Sequence, residues 1–95
     1  MTRRMIYREI REVMKKRKIQ RIVRYVYENP GCNTSSVAKE INADYKSGER
    51  YLKKLSDLGI VIRRQGANRN IRYAYEMNGF WINHLGELLG YYQRE

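Results

Sequence analysis

The chain has 95 residues and a formal net charge of +10, with 20 lysine and arginine residues against 10 aspartate and glutamate residues. This length predicts one domain, and a hydrophobic fraction of 42% is typical of a folded core. The single cysteine excludes an intramolecular disulfide framework, and no apolar run is long enough for a membrane span or a signal peptide. We therefore expect an intracellular protein with a polyanionic partner.

Apolar residues that recur every three or four positions predict helix over the first thirty residues. One apolar face includes Ile6 and Ile10, and a second face, which starts at Ile19, lies nearly opposite to it. Either the helix breaks near Lys15–Lys18, or one long helix buries different faces at its two ends, as a dimer would allow. Pro30 ends this helical region.

The middle of the chain predicts two further helices and a β-hairpin. A short helix opens at one of three N-cap candidates, residues 33–35, and a longer helix spans residues 44–58, with Asp44 as its N-cap and Gly59 as its stop. Residues 60–77 alternate as a hairpin around a loop at residues 66–70. A last helix begins near Asn78. Within the helix at residues 44–58, the interior glycine Gly48 either allows a neighbouring element to approach closely or leaves this helix less stable.

The segment from Thr34 to Val61, followed by the hairpin tail Tyr73–Gly79, resembles the winged-helix transcription regulators of the ArsR and MarR type. The most specific part is Leu52–Val61, which is similar to the superfamily pattern Leu-Lys-Lys-Leu-x-x-x-Gly-hydrophobic-Val that joins the recognition helix to the wing. The resemblance implies a mainly α winged helix-turn-helix with a small β-hairpin, an extended N-terminal helix and an additional C-terminal helix. We expect a single domain over residues 1–95, with a basic extension (1–16), a core (17–77) and a C-terminal helix (78–95).

The positive charge falls in two blocks. Residues 43–72 carry eight basic and three acidic residues, or +5, and they coincide with the expected recognition helix and wing. We predict sequence-specific binding of double-stranded DNA, with the recognition helix in the major groove and the wing on the minor groove or backbone. The helix candidates are Tyr45, Lys46, Ser47, Glu49, Arg50, Lys53 and Lys54, and the wing candidates are Arg63, Arg64, Asn68, Arg69, Asn70 and Arg72.

The N-terminal block is larger, with ten basic and two acidic residues in positions 1–24, or +8. These residues either follow the DNA backbone or form a solvated helix face. The candidates for backbone contact are Arg3, Arg4, Lys15, Lys16, Arg17 and Lys18. We also expect a homodimer, because dimers formed by terminal helices are common in the families that the chain resembles, and two-fold proteins match palindromic half-sites. The alternative is that the last helix only closes its own domain over the wing. The expected interface comprises Ile6, Ile10, Val13, Trp81, Leu85, Leu88 and Tyr92.

The sequence offers little for catalysis or ligand binding. His84 is the only histidine and Cys32 the only cysteine, so no metal-ligating or nucleophilic constellation is predicted. We expect no enzymatic activity, no cofactor, no metal and no membrane partner, and no small-molecule effector is identifiable. The prediction is a repressor-like transcription regulator; the alternatives are an architectural protein that coats DNA with low specificity, and a winged helix used for protein–protein assembly.

Overall fold

The computed structural model describes residues 3–68, 71–84 and 86, with side chains of residues 3–7 and 67 left out of the description. Five helices and one two-stranded antiparallel sheet follow in the predicted order within these residues, which confirms the winged helix-turn-helix. Their bounds are α1 Arg3–Met14, α2 Arg17–Glu28, α3 Thr34–Glu40, α4 Tyr45–Asp57, β1 Val61–Asn68, β2 Ile71–Met77 and α5 Gly79–Ile82.

The N-terminal helical region breaks between α1 and α2, as the first of the two alternatives predicted. The backbone of Lys16 is extended (φ −81°, ψ 127°), and the side-chain amide of Gln20 donates a hydrogen bond of 2.6 Å to the Met14 carbonyl. The break reorients α1, so that its apolar face and the opposite face of α2 pack into the same core. One continuous helix would have separated them.

This packing corrects part of the expected dimer interface. Ile10, Val13 and Trp81 are only 1%, 8% and 6% exposed, and all three belong to the hydrophobic core of the chain itself. Their side chains are therefore covered without a second copy. The other expected interface residues lie outside the described side chains: Ile6, Leu85, Leu88 and Tyr92.

Side-chain caps fix the ends of the two helices that form the helix-turn-helix. The Asn33 carboxamide oxygen accepts a hydrogen bond of 2.9 Å from the Ser36 N–H at the start of α3, and the Asp44 carboxylate accepts one of 2.7 Å from the Ser47 N–H at the start of α4. Gly59 ends α4 with a φ of +78°, a left-handed conformation in which glycine pays no steric cost.

Gly48 lies where α4 crosses α3. A Cβ atom at this position would stand 2.9 Å from the Cβ of Ala38 and 3.3 Å from its Cα. The glycine therefore permits close approach of the two helices, which is the first of the two explanations that the sequence left open.

The hairpin lies where predicted, but strand β1 is longer, and the loop shorter, than expected. The register runs from Val61 opposite Met77 to Gln65 opposite Tyr73, and β1 then continues through an irregularity to Asn68. The predicted loop at residues 66–70 therefore begins too early, because Gly66 allows β1 to pass close to the backbone of β2.

The residues just before α3 form an isolated antiparallel bridge with strand β2. The Gly31 N–H donates to the Tyr75 carbonyl and the Tyr75 N–H donates to the Cys32 carbonyl, both at 2.8 Å. The wing is thereby joined to the start of the helix-turn-helix. Just beyond β2, at the open end of the hairpin, the Asn78 side chain donates a 2.9 Å hydrogen bond to the Gly59 carbonyl and its oxygen accepts from the Phe80 N–H.

Only the first turn of the predicted C-terminal helix (78–95) falls within α5, and most of the remainder lies outside the described residues. None of the helices described is both long and apolar enough to cross a membrane.

Candidate nucleic-acid interface

Helix α4 separates an apolar face from a polar one. Leu52 and Leu55 are fully buried, and Gly48 faces α3. Six of the seven predicted contact residues on this helix are exposed, whereas Ser47 is half-buried within the N-terminal cap. The exposed residues are Tyr45, Lys46, Glu49, Arg50, Lys53 and Lys54.

The polar face of α4 and the hairpin enclose a cleft of about 330 Å³. Two elements that are separate in sequence thus contribute to one surface. The lining contains five cationic side chains, one carboxylate and two tyrosine rings, from Lys46, Glu49, Arg50, Lys53, Arg63, Arg72, Tyr73 and Tyr75. Such a concentration of lysine and arginine, with polar groups among them, is suited to a phosphodiester backbone and the base edges beside it.

Other predicted contact residues lie outside this cleft. Arg64 makes an ion pair with Glu76, and Lys54 is exposed without lining the cleft. The Asn68 side-chain oxygen accepts a hydrogen bond of 3.1 Å from the Ile71 N–H at the end of the hairpin. The predicted tip residues Arg69 and Asn70 are not among the described residues.

The two tyrosines of the cleft were not among the predicted contact residues. Tyr75 is 2% exposed, and its hydroxyl shares a hydrogen bond with the side chain of Thr34, itself 4% exposed. Burial raises the pKa of Tyr75, whereas this hydrogen bond acts in the opposite direction, so the phenol is neutral at pH 7. The alternation of residues 71–76 predicted that both tyrosines face inward, but it did not predict that they lie next to α4.

The cap of α4 carries the carboxylate of Asp44, which is exposed but hydrogen-bonded. The hydrogen bonds from Ser47 are the main reason why the pKa of Asp44 is lowered, and the charges of Arg50 and Lys18 contribute in the same direction. Lys18, one of the predicted backbone contacts, is exposed on α2. Among the other predicted backbone contacts, Lys15 pairs with Glu12 at 3.4 Å, Lys16 and Arg17 are exposed, and the side chains of Arg3 and Arg4 are outside the description.

Cys32 and His84, the only cysteine and histidine of the sequence, both pack against neighbouring residues. Burial raises the pKa of the Cys32 thiol to about 11, so the thiol is protonated at neutral pH. The ring of His84 stacks on Phe80 with centroids 4.4 Å apart. Within residues 3–68, 71–84 and 86, no three histidine, cysteine or acidic residues are grouped to hold a metal ion.

No family model and no curated protein sequence matches the chain. Several solved structures share its fold. MarR superposes with a TM-score of 0.73 and 22% identity over 97% of this chain and 67% of the MarR chain. The transcriptional regulator SlyA gives a TM-score of 0.66 and 21% identity over 95% and 69% of the two chains. The MepR–DNA complex of S. aureus gives 0.71 and 12% over 92% and 72%. The chain therefore has the winged helix-turn-helix fold of the MarR-type regulators.

Proposed function

We propose that this protein is a transcription regulator that binds double-stranded DNA, with residues 44–58 in the major groove and residues 60–77 on the minor groove and backbone. The observation that carries this proposal is the basic cleft, in which cationic side chains of α4 and of the hairpin line one surface. It is also supported by the likeness to MepR, which has been solved as a complex with DNA.

Within the major groove, the exposed residues of α4 have different roles. Lys46 and Arg50 suit the O6 and N7 acceptors of guanine, and Glu49 suits the amino group of cytosine. Lys53, which is paired with Asp57 at 3.2 Å, and the exposed Lys54 suit phosphates. A carboxylate among cations favours base selectivity, because it repels phosphate wherever it finds no donor.

At the hairpin, Arg72 is exposed at the cleft, and Asn68 is exposed at the end of β1. We propose that they reach the minor groove together with Arg69 and Asn70. The exposed Lys16–Lys18 segment adds phosphate contacts. In the cell such a regulator acts in the cytoplasm, on DNA of the nucleoid.

The proposed regulator is a homodimer, with an interface that differs from the expected one. Phe80 and Ile82 of α5 are 51% and 44% exposed, although both are large and apolar. A second copy covering them removes apolar area from water. Sedimentation equilibrium at micromolar protein is expected to give twice the chain mass of 11.5 kDa; a mass of one chain contradicts the dimer.

The DNA-binding proposal is tested by a pair of double variants. Lys46→Gln with Arg50→Gln removes two positive charges from the cleft, whereas Arg24→Gln with Lys39→Gln removes two exposed charges from α2 and α3. Binding of random-sequence duplex DNA is followed by fluorescence anisotropy across a series of salt concentrations. We expect the cleft variant to bind at least about tenfold more weakly at every salt concentration, because two positive charges are lost from the surface that faces the duplex.

The control variant is expected to bind nearly as the wild type does. Equal losses in the two variants would mean that only net charge matters, and no binding by the wild type would favour a protein–protein assembly module. Competition with an excess of unrelated duplex separates a sequence-specific regulator from an architectural protein, because only the former retains its own site.

A further inference from the structure

Two adjacent arginines of β1 lie in different surroundings. Successive side chains of a strand point to opposite faces of the sheet. In the hairpin register Arg63 stands opposite Tyr75, whereas Arg64 stands opposite Ala74. The pair therefore offers two identical charges, one residue apart, on opposite faces of the wing.

Arg63 lies on the face that closes the cleft. Its guanidinium carbon is 4.3 Å from the centroid of the Tyr73 ring, which is the diagonal neighbour on β2. An arginine over an aromatic face is held by cation–π attraction while its N–H groups remain available at the edge. Arg63 lines the cleft together with Lys46 and Arg50 of α4.

Arg64 lies on the other face, outside the cleft. It makes an ion pair with Glu76, its own diagonal neighbour on β2. The Arg64 side chain in this pair is mostly exposed, and that of Glu76 is half-buried. The Glu76 carboxylate partly neutralises Arg64, and it would also repel a nearby phosphate. From the sequence, both arginines were predicted to contact DNA, because the residues that distinguish their surroundings lie on β2 and α4.

We propose that Arg63 is the wing strand's phosphate-contacting arginine, that Tyr73 is the positioning residue that holds it toward the cleft, and that Arg64 takes no part in DNA binding. This inference rests on the proposed function and refines it. A phosphodiester strand that runs between α4 and the wing passes the cleft in which the Arg63 guanidinium lies. The stacked geometry reduces the ordering that binding would otherwise require.

The adjacent arginine supplies a matched control. Arg63→Gln and Arg64→Gln change the net charge equally and shorten neighbouring side chains of the same strand. With random-sequence duplex DNA as the probe, Arg63→Gln is expected to weaken binding about fivefold to tenfold and to lower the logarithmic salt slope by about one unit. Arg64→Gln is expected to change affinity less than about twofold, with an unaltered slope.

The positioning role of Tyr73 is tested with a second pair of variants. Tyr73→Phe keeps the ring, so affinity is expected to stay at the wild-type level. Tyr73→Leu removes the ring and is expected to weaken binding about twofold to fivefold, with the salt slope retained because the charge of Arg63 is still present. In an Arg63→Gln background the same Tyr73→Leu change is expected to have no further effect.

The outcomes separate this inference from the proposed function. Wild-type protein that binds no duplex refutes both. Wild-type binding with equal losses from Arg63→Gln and Arg64→Gln, or a larger loss from Arg64→Gln, refutes the division between the two arginines alone. Additive effects of Tyr73→Leu and Arg63→Gln refute the positioning role. Thermal unfolding of each variant accounts for any loss of folded protein. Because the Tyr73 ring also packs against the hydrophobic core, the binding of Tyr73→Leu is measured at a temperature at which this variant is folded.

Discussion

Replacing Gly48 with alanine is expected to destabilise the protein, although alanine is the better helix former. The new Cβ would stand 2.9 Å from the Cβ of Ala38, well inside the ordinary contact distance of about 3.5–4 Å. Overpacking of this kind costs about 1–3 kcal/mol, whereas the gain in helix propensity returns about 1 kcal/mol. The free energy of unfolding should therefore fall by roughly 1 kcal/mol in Gly48→Ala.

A second substitution distinguishes overpacking from a general effect on α4. Ala38→Gly removes the Cβ that Gly48→Ala meets, leaving contacts of 3.3 Å and 3.4 Å to the Ala38 backbone. Gly48→Ala should then become neutral or stabilising by up to about 1 kcal/mol in the Ala38→Gly background. Urea unfolding followed by circular dichroism measures all four members of the cycle. A Gly48→Ala effect that is the same in both backgrounds, or stabilising in both, would refute the close approach of α3 and α4.

Three further predictions concern the cap, the wing and the thiol. Asp44→Ala should lower the melting temperature, whereas Asp44→Asn should preserve the cap. Since the pKa of Asp44 is lowered in the folded state, the wild type should lose stability relative to Asp44→Asn as the pH falls below about 3.8. Stability profiles that run parallel with pH in the two proteins would contradict this. Gly66→Ala should destabilise the hairpin by about 2 kcal/mol, because its Cβ would overlap the backbone of β2. The control Gly79→Ala, whose Cβ meets nothing within 4 Å, should be nearly neutral. Equal melting temperatures of the two variants would contradict the close approach of β1 to β2 at Gly66. Cys32, with a pKa of about 11, should react slowly with iodoacetamide at pH 8 until urea unfolds the protein; fast labelling of the native state would contradict its burial.

Local signals in the sequence predicted the elements well. Asp44 and Gly59 mark the ends of α4 because capping and left-handed backbone are properties of a few adjacent residues. The two opposed apolar faces predicted either a break near Lys15–Lys18 or one long helix shared with a partner, and the extended backbone of Lys16 shows that the helix breaks. The winged helix-turn-helix order itself followed from these boundaries and from the alternation in the hairpin.

Features that depend on contacts between distant residues were less accessible. Ile10 and Trp81 have the apolar character of an interface, but whether a partner or the chain's own core covers them depends on how α1 packs after the break. The setting of Arg63 on Tyr73 depends on hairpin register, which the sequence around residues 66–70 did not fix. The backbone connection from Cys32 to Tyr75 joins residues 43 positions apart and leaves no local pattern.

We propose above all that α4 and the wing of each protomer in a two-fold dimer recognise a specific DNA sequence. Selection of bound duplexes from a random pool by the wild-type protein, followed by sequencing, tests it most directly. We predict an enriched consensus with two inverted half-sites about one helical turn apart, roughly 10 base pairs between their centres. A selected pool whose sequences match the input, after rounds in which DNA was retained, would contradict sequence-specific recognition.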